Sequence, residues 1–241
     1  GIKTRLAWKC FSNRKDFMKI AVCGTQCIGK TTFIQDFVKN WPQYSIGESA
    51  YGKLLASGKI VNNKEGNEPS QKAILDALCD QILYCKEENV IFDRCVLDNL
   101  VYTLWLSANG RVSDTFVKAT IDIVKQTLVF FDLILFLPIT STSPVQIVAR
   151  SGREIDPQYR VEIDNIFKSL HRAHQAGSTV YFPFNEVKGC PGIVEIYGTR
   201  EERIELTKMY ITPEGQIPSE GESLLDDIDA VALAAETMPR P

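Results

Sequence analysis

One short motif constrains this chain more than any other feature of its sequence. The pattern G-x-x-x-x-G-K-[ST] is present in full, as Gly24-Thr-Gln-Cys-Ile-Gly-Lys-Thr31. It follows an apolar stretch from Met18 to Cys23, which is typical of a buried strand. After it, apolar residues recur at helical spacing from Phe33 to Trp41, until Pro42 stops the pattern. A strand, a glycine-containing loop and a helix in this order predict a phosphate-binding loop.

Each part of this motif has a defined role in binding a triphosphate. Glycines let the backbone wrap around phosphate oxygens, and the amides at the start of the helix point at the negative charge. The Lys30 side chain would reach the β and γ phosphates, and the Thr31 hydroxyl would hold Mg²⁺. The residues expected to bind the nucleotide are Gly24, Thr25, Gln26, Cys27, Ile28, Gly29, Lys30, Thr31 and Thr32.

Beyond the loop, short apolar runs alternate with helical patterns. Further strands are predicted at about 44–46, 90–93, 132–137 and 193–197, and Ser70 is the predicted cap of the helix before the third strand. Strands that are apolar throughout are typical of parallel sheets covered on both faces. We therefore expect an α/β chain with a three-layer, doubly wound parallel sheet, the P-loop NTPase or kinase fold. Ligands of such sheets bind beyond the carboxyl ends of the strands, where Gly24, Glu48 and Asp93 should converge.

Length and charge distribution predict one domain with two appendages. A chain of 241 residues with 44% hydrophobic residues can bury one full core. We place an N-terminal extension at 1–17, the P-loop domain at 18–211 and an acidic tail at 212–241. From Glu214 onward seven acids face Arg240 alone, so the tail carries about −6 and the remainder about +3. A mildly basic body suits a small phosphorylated ligand, but it lacks the Lys/Arg clusters of strong duplex DNA binders.

The cysteine pattern and the hydropathy of the sequence indicate in which cellular compartment the protein is expected. The seven cysteines form no C-x-x-C pair, so they are interpreted as reduced thiols and not as a zinc or redox motif. The longest apolar runs fall well short of the roughly 20 residues of a membrane-spanning helix. We expect a soluble, cytoplasmic protein without a membrane partner.

Two classes of P-loop protein fit the sequence poorly. A GTPase switch would carry the guanine-specifying pattern N-K-x-D, whereas this chain has Asn63-Lys-Glu-Gly66. A AAA-type motor would usually place Asp-Glu after an apolar strand, but Asp93 is followed by Arg94. A phosphoryl-transferring enzyme is favoured over both.

The stretch from Asp93 to Tyr102 resembles a motif of nucleotide and nucleoside kinases. It is similar to the D-R-x-x-x-S-x-x-A-Y segment of thymidylate kinases and to the E-R-S segment of deoxynucleoside kinases, with Asp98 where Ser is usual. The resemblance implies that Asp93 orders a magnesium-bound water. It also implies that Arg94 grips the acceptor or the transferring phosphoryl group. An ordinary ion pair at the strand end is the alternative interpretation of Asp93 and Arg94.

Glu48 matches the position where deoxynucleoside kinases and nicotinamide riboside kinase-like proteins keep an acid. By resemblance it accepts the proton of the acceptor hydroxyl as general base. The alternative is a solvated glutamate at a helix start, where the helix dipole favours a negative charge.

The segment after the strand at 132–137 is similar to the arginine-bearing lid of this superfamily. Arg153 is the first candidate and Arg150 the second for contacts with phosphoryl oxygens when the lid closes. Two exposed arginines in a loop are the alternative. By the same resemblance, the turn from Ile196 to Arg203 places backbone groups against the nucleotide base.

Taken together, the segments from Met18 to Arg203 resemble the AAA_28-type ATPase/kinase family, which is similar to the kinase half of nicotinamide riboside kinase/adenylyltransferase proteins and is common in phages. The resemblance implies a magnesium-dependent kinase of a bacterium or a phage-infected host, acting on a small nucleoside-like acceptor with ATP or GTP. A homodimer is a further expectation. The alternatives are a kinase of hydroxymethylated pyrimidine in DNA, a nucleotide-binding regulatory module and a simple NTPase.

Overall fold

The computed structural model describes residues 17–61, 63–141 and 156–218. These residues form a sheet of five parallel strands in the order β2-β3-β1-β4-β5. The strands are β1 (Lys19–Cys23), β2 (Ser45–Ile46), β3 (Val90–Asp93), β4 (Leu133–Phe136) and β5 (Gly192–Glu195). The helices are α1 (Lys30–Asn40), α2 (Ala50–Ala56), α3 (Glu68–Leu83), α4 (Val96–Ala108), α5 (Asp114–Leu128), α6 (Pro157–Gln175) and α7 (Arg200–Lys208). Two 3₁₀ segments, Asn63–Glu65 and Pro183–Glu186, complete the described elements.

Helices cover both faces of the sheet. On one face, Ile20 and Val22 of β1 pack with apolar residues of α1 and α7. On the other face, Ala21 and Cys23 pack with α3, α4, α5 and α6. Successive residues of a strand point to opposite faces, so a central strand buried on both sides is apolar throughout. The predicted three-layer, doubly wound α/β fold is confirmed.

The strands lie within two residues of their predicted bounds, and the start of α3 differs from its predicted cap. Ser113 caps α5 and Pro157 opens α6. The helix predicted to be capped by Ser70 begins earlier, because the Asn67 side chain accepts a hydrogen bond from the Ser70 amide at 3.0 Å. Asn and Ser are both good N-caps, so local preference alone did not decide between them.

The chain beyond α7 packs back on the end of α1. The Trp41 indole Nε1 donates to the carbonyl oxygen of Thr212 at 2.8 Å, and the Tyr44 hydroxyl donates to that of Gly215 at 2.6 Å. The first residues of the predicted tail thus contact the body. Of the described helices, none combines the length and the apolar character needed to cross a membrane.

Candidate active site

The phosphate loop connects the carboxyl end of β1 to α1, and its two glycines are required by its shape. Gly24 has φ +144° and Gly29 has φ +89°, both in the region that residues with a side chain rarely adopt. A Cβ atom at Gly24 would lie 2.7 Å from the carbonyl oxygen of Leu137. The loop therefore passes so close to the end of β4 that only glycine fits at this point.

The loop amides are free to bind an anion. Within the described residues, the N–H groups of residues 25–29 donate no hydrogen bond to the protein, while the Gly24 amide donates to Asp98 Oδ1 at 3.4 Å. The first N–H groups of a helix have no partner within the helix itself. A run of unpaired amides at a helix start is thus the local signature of an anion site.

Lys30 lies in the loop without a carboxylate partner in the described structure. Its side chain is 6% exposed, and Nζ donates to the carbonyl oxygens of Gly24 at 2.9 Å and Thr25 at 2.7 Å. Burial, and secondarily the nearby charge of Arg94, lowers the pKa of Lys30 from 10.5 to about 8. A buried ammonium that has only neutral partners is a strong attractor for a phosphate group.

Thr31 and Asp93 are brought together by the loop and β3. The Thr31 Oγ1 hydroxyl donates to Asp93 Oδ2 at 3.0 Å, and Asp93 Oδ1 is buried with no hydrogen-bond partner among the described residues. A hydroxyl and a carboxylate with a spare oxygen are donors that Mg²⁺ accepts, usually with several waters and phosphate oxygens. The residues present fit a magnesium ion bound together with a triphosphate.

Arg94 follows β3 in a strained conformation that aims its side chain at a cleft. Its φ of +79° lies in the left-handed region, which is uncommon for residues other than glycine. The guanidinium carbon is 4.7 Å from the ring centre of Tyr51 and 5.9 Å from that of Tyr102, and Nη1 is 3.8 Å from Asp98 Oδ1. Burial opposes the charge of Arg94, but Tyr102 and Asp98 more than compensate and raise its pKa.

Asp98 has a role that the kinase resemblance did not indicate. Its Oδ2 accepts from the Cys95 amide at 2.9 Å, which caps the start of α4, while Oδ1 accepts from Gly24 and faces Arg94. Burial raises the pKa of Asp98, and the charges of Arg94 and Lys30 oppose that rise. The carboxylate thus joins the phosphate loop to the arginine, where a serine would offer a shorter, neutral side chain.

A cleft lies beside Arg94. Its walls combine aromatic, aliphatic and amide side chains, including Tyr51, Tyr102, Ile74, Leu78, Gln71 and Asn99. The Asn99 Nδ2 amide donates to the Gln71 carbonyl oxygen and to Gln71 Oε1, both at 3.0 Å. A mostly apolar wall with a few fixed polar groups is typical of a small-molecule site.

The remaining predicted residues lie elsewhere. Glu48 follows β2 at the same edge of the sheet, but its exposed carboxylate pairs with Lys53 of α2 and does not line the cleft. Thr32 is half-buried in the first turn of α1. Arg150 and Arg153 lie outside the described residues.

Two further arginines contact the loop and were not among the predicted site residues. Arg160 of α6 and Arg203 of α7 both donate to phosphate-loop carbonyls. The α6 contact crosses more than 130 positions of sequence, so no local pattern could have indicated it.

This sheet order, loop and acid-bearing third strand define an α/β P-loop nucleoside triphosphate-binding protein. The family model AAA_28, described as an AAA domain, matches residues 19–182, and the chain belongs to that family. No curated protein matches the chain in sequence.

Solved structures of two other proteins are similar in fold. A deoxyadenosine kinase from M. mycoides, with the products dCMP and a flexible dCDP bound, has a TM-score of 0.55 and 21% identity, covering 79% of this chain and 96% of its own. NadR in complex with NR has a TM-score of 0.57 and 14% identity, covering 86% of this chain and 54% of its own. The present chain thus spans about half the length of NadR. At these identities the likeness shows the fold alone.

Proposed function

We propose that this protein is a magnesium-dependent kinase that transfers the γ-phosphoryl group of ATP, or of GTP, to a nucleoside, nucleotide or related small acceptor. The observation that carries the proposal is the junction of the phosphate loop with the cleft. Asp98 contacts the loop at Gly24, and both Asp98 and Arg94 line the cleft. An acceptor in the cleft therefore lies beside the phosphates, as direct phosphoryl transfer requires.

The donor side of this site has the charge of a triphosphate-binding site. The unpaired amides of residues 25–29 and the Lys30 ammonium supply positive charge and hydrogen-bond donors. Thr31 and Asp93 would hold magnesium, which when bound neutralises charge that develops on the phosphate oxygens. Arg94, and by resemblance Arg153 and Arg150, would add positive charge to the transferring group.

The cleft supports a nucleoside-like acceptor. Two tyrosine rings, Tyr51 and Tyr102, provide faces on which a planar base can stack, and Gln71 and Asn99 provide amide groups. The similar structures bind ligands of this kind, dCMP and dCDP in the deoxyadenosine kinase and NR in NadR. We therefore favour a single nucleoside or nucleotide over a polymer as the acceptor.

The transfer step forms one bond and breaks another. An oxygen of the acceptor attacks the γ phosphorus, and the bond from that phosphorus to the β,γ-bridging oxygen breaks, which leaves the nucleoside diphosphate. A hydroxyl acceptor loses its proton to a carboxylate, Asp93 or Glu48. Glu48 must first leave Lys53, and Asp93 could accept the proton only on an oxygen that does not bind magnesium. Positioning and charge, without a covalent intermediate, account for the catalysis.

The first experiment is phosphoryl transfer from γ-labelled ATP and GTP with magnesium. The acceptors to be screened are nucleosides, nucleoside monophosphates, nicotinamide riboside and hydroxymethyluracil-containing DNA. We expect one labelled small-molecule product. Label transferred to DNA would identify the DNA-kinase alternative, while nucleotide binding without any labelled product would contradict a kinase and favour a regulatory module.

At a pH above the pKa of Lys30, nucleotide binding should be accompanied by protonation of Lys30. With that pKa at about 8 in the free protein, most Lys30 side chains are neutral at about pH 8.5. The negative charge of a bound triphosphate raises the pKa of Lys30 again, so nucleotide binding at about pH 8.5 should take up a large fraction of a proton. At about pH 6.5 Lys30 is already charged, and binding should take up little. Titration calorimetry in buffers of different ionisation enthalpy measures this uptake.

A matched variant tests the assignment of that proton. Lys39→Met removes an exposed lysine of the same helix and should leave the uptake unchanged. Equal uptake at both pH values, or none at the higher one, would show that Lys30 does not titrate as its burial implies.

A further inference from the structure

Two arginines hold the outer side of the phosphate loop. Arg160 of α6 donates from Nε to the Gln26 carbonyl oxygen at 2.9 Å and from Nη2 to that of Cys27 at 3.4 Å. Arg203 of α7 donates from Nη1 to the Ile28 carbonyl oxygen at 3.0 Å. Three consecutive carbonyls are thus bound by guanidinium groups from two separate helices.

Both side chains are buried, and neither forms an ion pair with a carboxylate of the described residues, although the nearby charge of Asp164 partly offsets the burial of Arg160. Arg160 is 4% exposed and Arg203 is 7% exposed, and desolvation lowers the pKa of each. Asp164, one turn beyond Arg160, instead pairs with Lys168 at 2.6 Å. Arg203 Nε is buried with no partner among the described residues. Buried cations of this kind are costly unless an anion or a specific role compensates them.

The geometry of the peptide bond turns these contacts into control of the amides. A peptide unit is planar and trans, so its N–H points opposite to its C=O. Arginines that hold the carbonyls of residues 26, 27 and 28 therefore fix the direction of the N–H groups of Cys27, Ile28 and Gly29. These three amides belong to the set that is unpaired within the described residues.

We propose that Arg160 and Arg203 are positioning residues that hold the phosphate loop in its anion-binding shape before nucleotide arrives. The guanidinium groups keep three amides directed at the phosphate position. The charge of the bound triphosphate in turn balances the two buried cations. The second half of this inference rests on the proposed nucleotide binding, whereas the first half concerns the free protein alone.

Arg160→Gln and Arg203→Gln test the proposal, with two matched controls. Lys208→Gln breaks the exposed pair with Glu205 on α7, and Arg172→Gln removes an exposed arginine of α6. Neither control touches the loop. The two measurements are the amide order parameters of Cys27, Ile28 and Gly29 without nucleotide, and the dissociation constant of ATP with magnesium.

Loss of either arginine should make these amides more mobile and weaken the binding of ATP. We expect order parameters to fall from about 0.85 towards about 0.6, and ATP binding to weaken about tenfold, equivalent to about 1.4 kcal/mol. Arg160→Gln should have the larger effect because Arg160 binds two carbonyls. Arg160→Lys, which supplies one compact donor in place of a fork, should restore part of it.

The two readouts separate this inference from the proposed function. Order parameters and ATP affinity that match those of the Lys208 and Arg172 controls would overturn the positioning role of the two arginines, even if the variants unfold more easily. Loosened amides in a protein that binds no ATP would leave the positioning role standing and overturn its link to nucleotide. If the arginine variants show looser amides and weaker ATP binding, but the protein transfers no phosphoryl group to any acceptor, only the kinase proposal is contradicted.

Discussion

Replacing Lys30 with methionine should remove phosphoryl transfer and leave the fold at least as stable as before. Lys30 is the buried cation of the phosphate loop, and it donates only to two loop carbonyls in the free protein. Loss of one preorganised donor to the transition state typically slows an enzyme about 10²- to 10³-fold. We expect at least that loss in kcat, measured with the acceptor identified by the labelling screen.

The stability half of this prediction follows from the pKa of Lys30. Depression from 10.5 to about 8 corresponds to about 3 kcal/mol at about 1.4 kcal/mol for each pH unit, which disfavours the charged folded state at neutral pH. The unfolded chain binds more protons between these two values, so this penalty fades as the pH rises from about 8 to 10.5. Methionine fills similar space without the charge, so its melting temperature at pH 7 should equal or exceed that of the wild type.

Lys39→Met is the control for both halves, because Lys39 lies on the same helix with a side chain that is 72% exposed. It should alter neither turnover nor the melting temperature. Retained turnover in Lys30→Met would refute the assignment of the phosphate loop as the catalytic donor site. Lost turnover together with a large drop in melting temperature would show that Lys30 supports the fold instead.

The fold was predictable because its signals are local and repeated. The central strands β1, β3 and β4 are largely buried, so runs such as Val90 to Phe92 are apolar throughout and stand out between helical patterns. The G-x-x-x-x-G-K-[ST] motif is equally local, because Gly24 and Gly29 have positive φ angles that favour glycine and lie only five residues apart. The residues that determine each of these features are therefore close together in the sequence.

Features that depend on distant contacts were not predictable in the same way. Asp98 stands where the kinase motifs that this segment resembles have serine, and only the folded chain shows that it bonds to Gly24, 74 positions earlier. A local signal did exist, because an acid three residues after Cys95 can cap a helix. Glu48 illustrates the reverse, since its match to a family position gave no sign that Lys53, five residues on, would pair with it.

The site as a whole is assembled by topology. Parallel strands bring Gly24 and Asp93 to one edge of the sheet because β1 and β3 are neighbours. The pairing of Thr31 with Asp93 follows from that adjacency. Arg160 and Arg203 reach the loop from helices whose packing angles no sequence pattern specifies. Acid and loop could therefore be placed in advance, whereas the arginines on the outer side could not.

A pair of substitutions at Arg94 should separate its chemical role from its backbone strain. Arg94→Ala and Arg94→Gly both remove the guanidinium that faces the cleft and leave Asp98 without its nearest cation. Arginines that stabilise a transferring phosphoryl group contribute about 10³-fold or more to kcat. We therefore expect both variants to lose turnover to the same extent, by at least about 10²-fold.

Their stabilities should differ, because only glycine adopts the Arg94 backbone conformation without strain. At φ +79° a Cβ atom costs about 1 kcal/mol, so Arg94→Gly should unfold at higher denaturant than Arg94→Ala by that amount. Arg111→Ala, at an exposed arginine beyond α4 that contacts Glu65, is the control for general loss of charge. Turnover that survives in either Arg94 variant would remove this residue from the transfer step. A fall in kcat with an unchanged KM for the acceptor would mean that Arg94 contacts the phosphoryl group, because an interaction made only in the transition state affects kcat. A rise in KM alone would mean that Arg94 contacts the acceptor, because an interaction that is equal in ground and transition states affects KM.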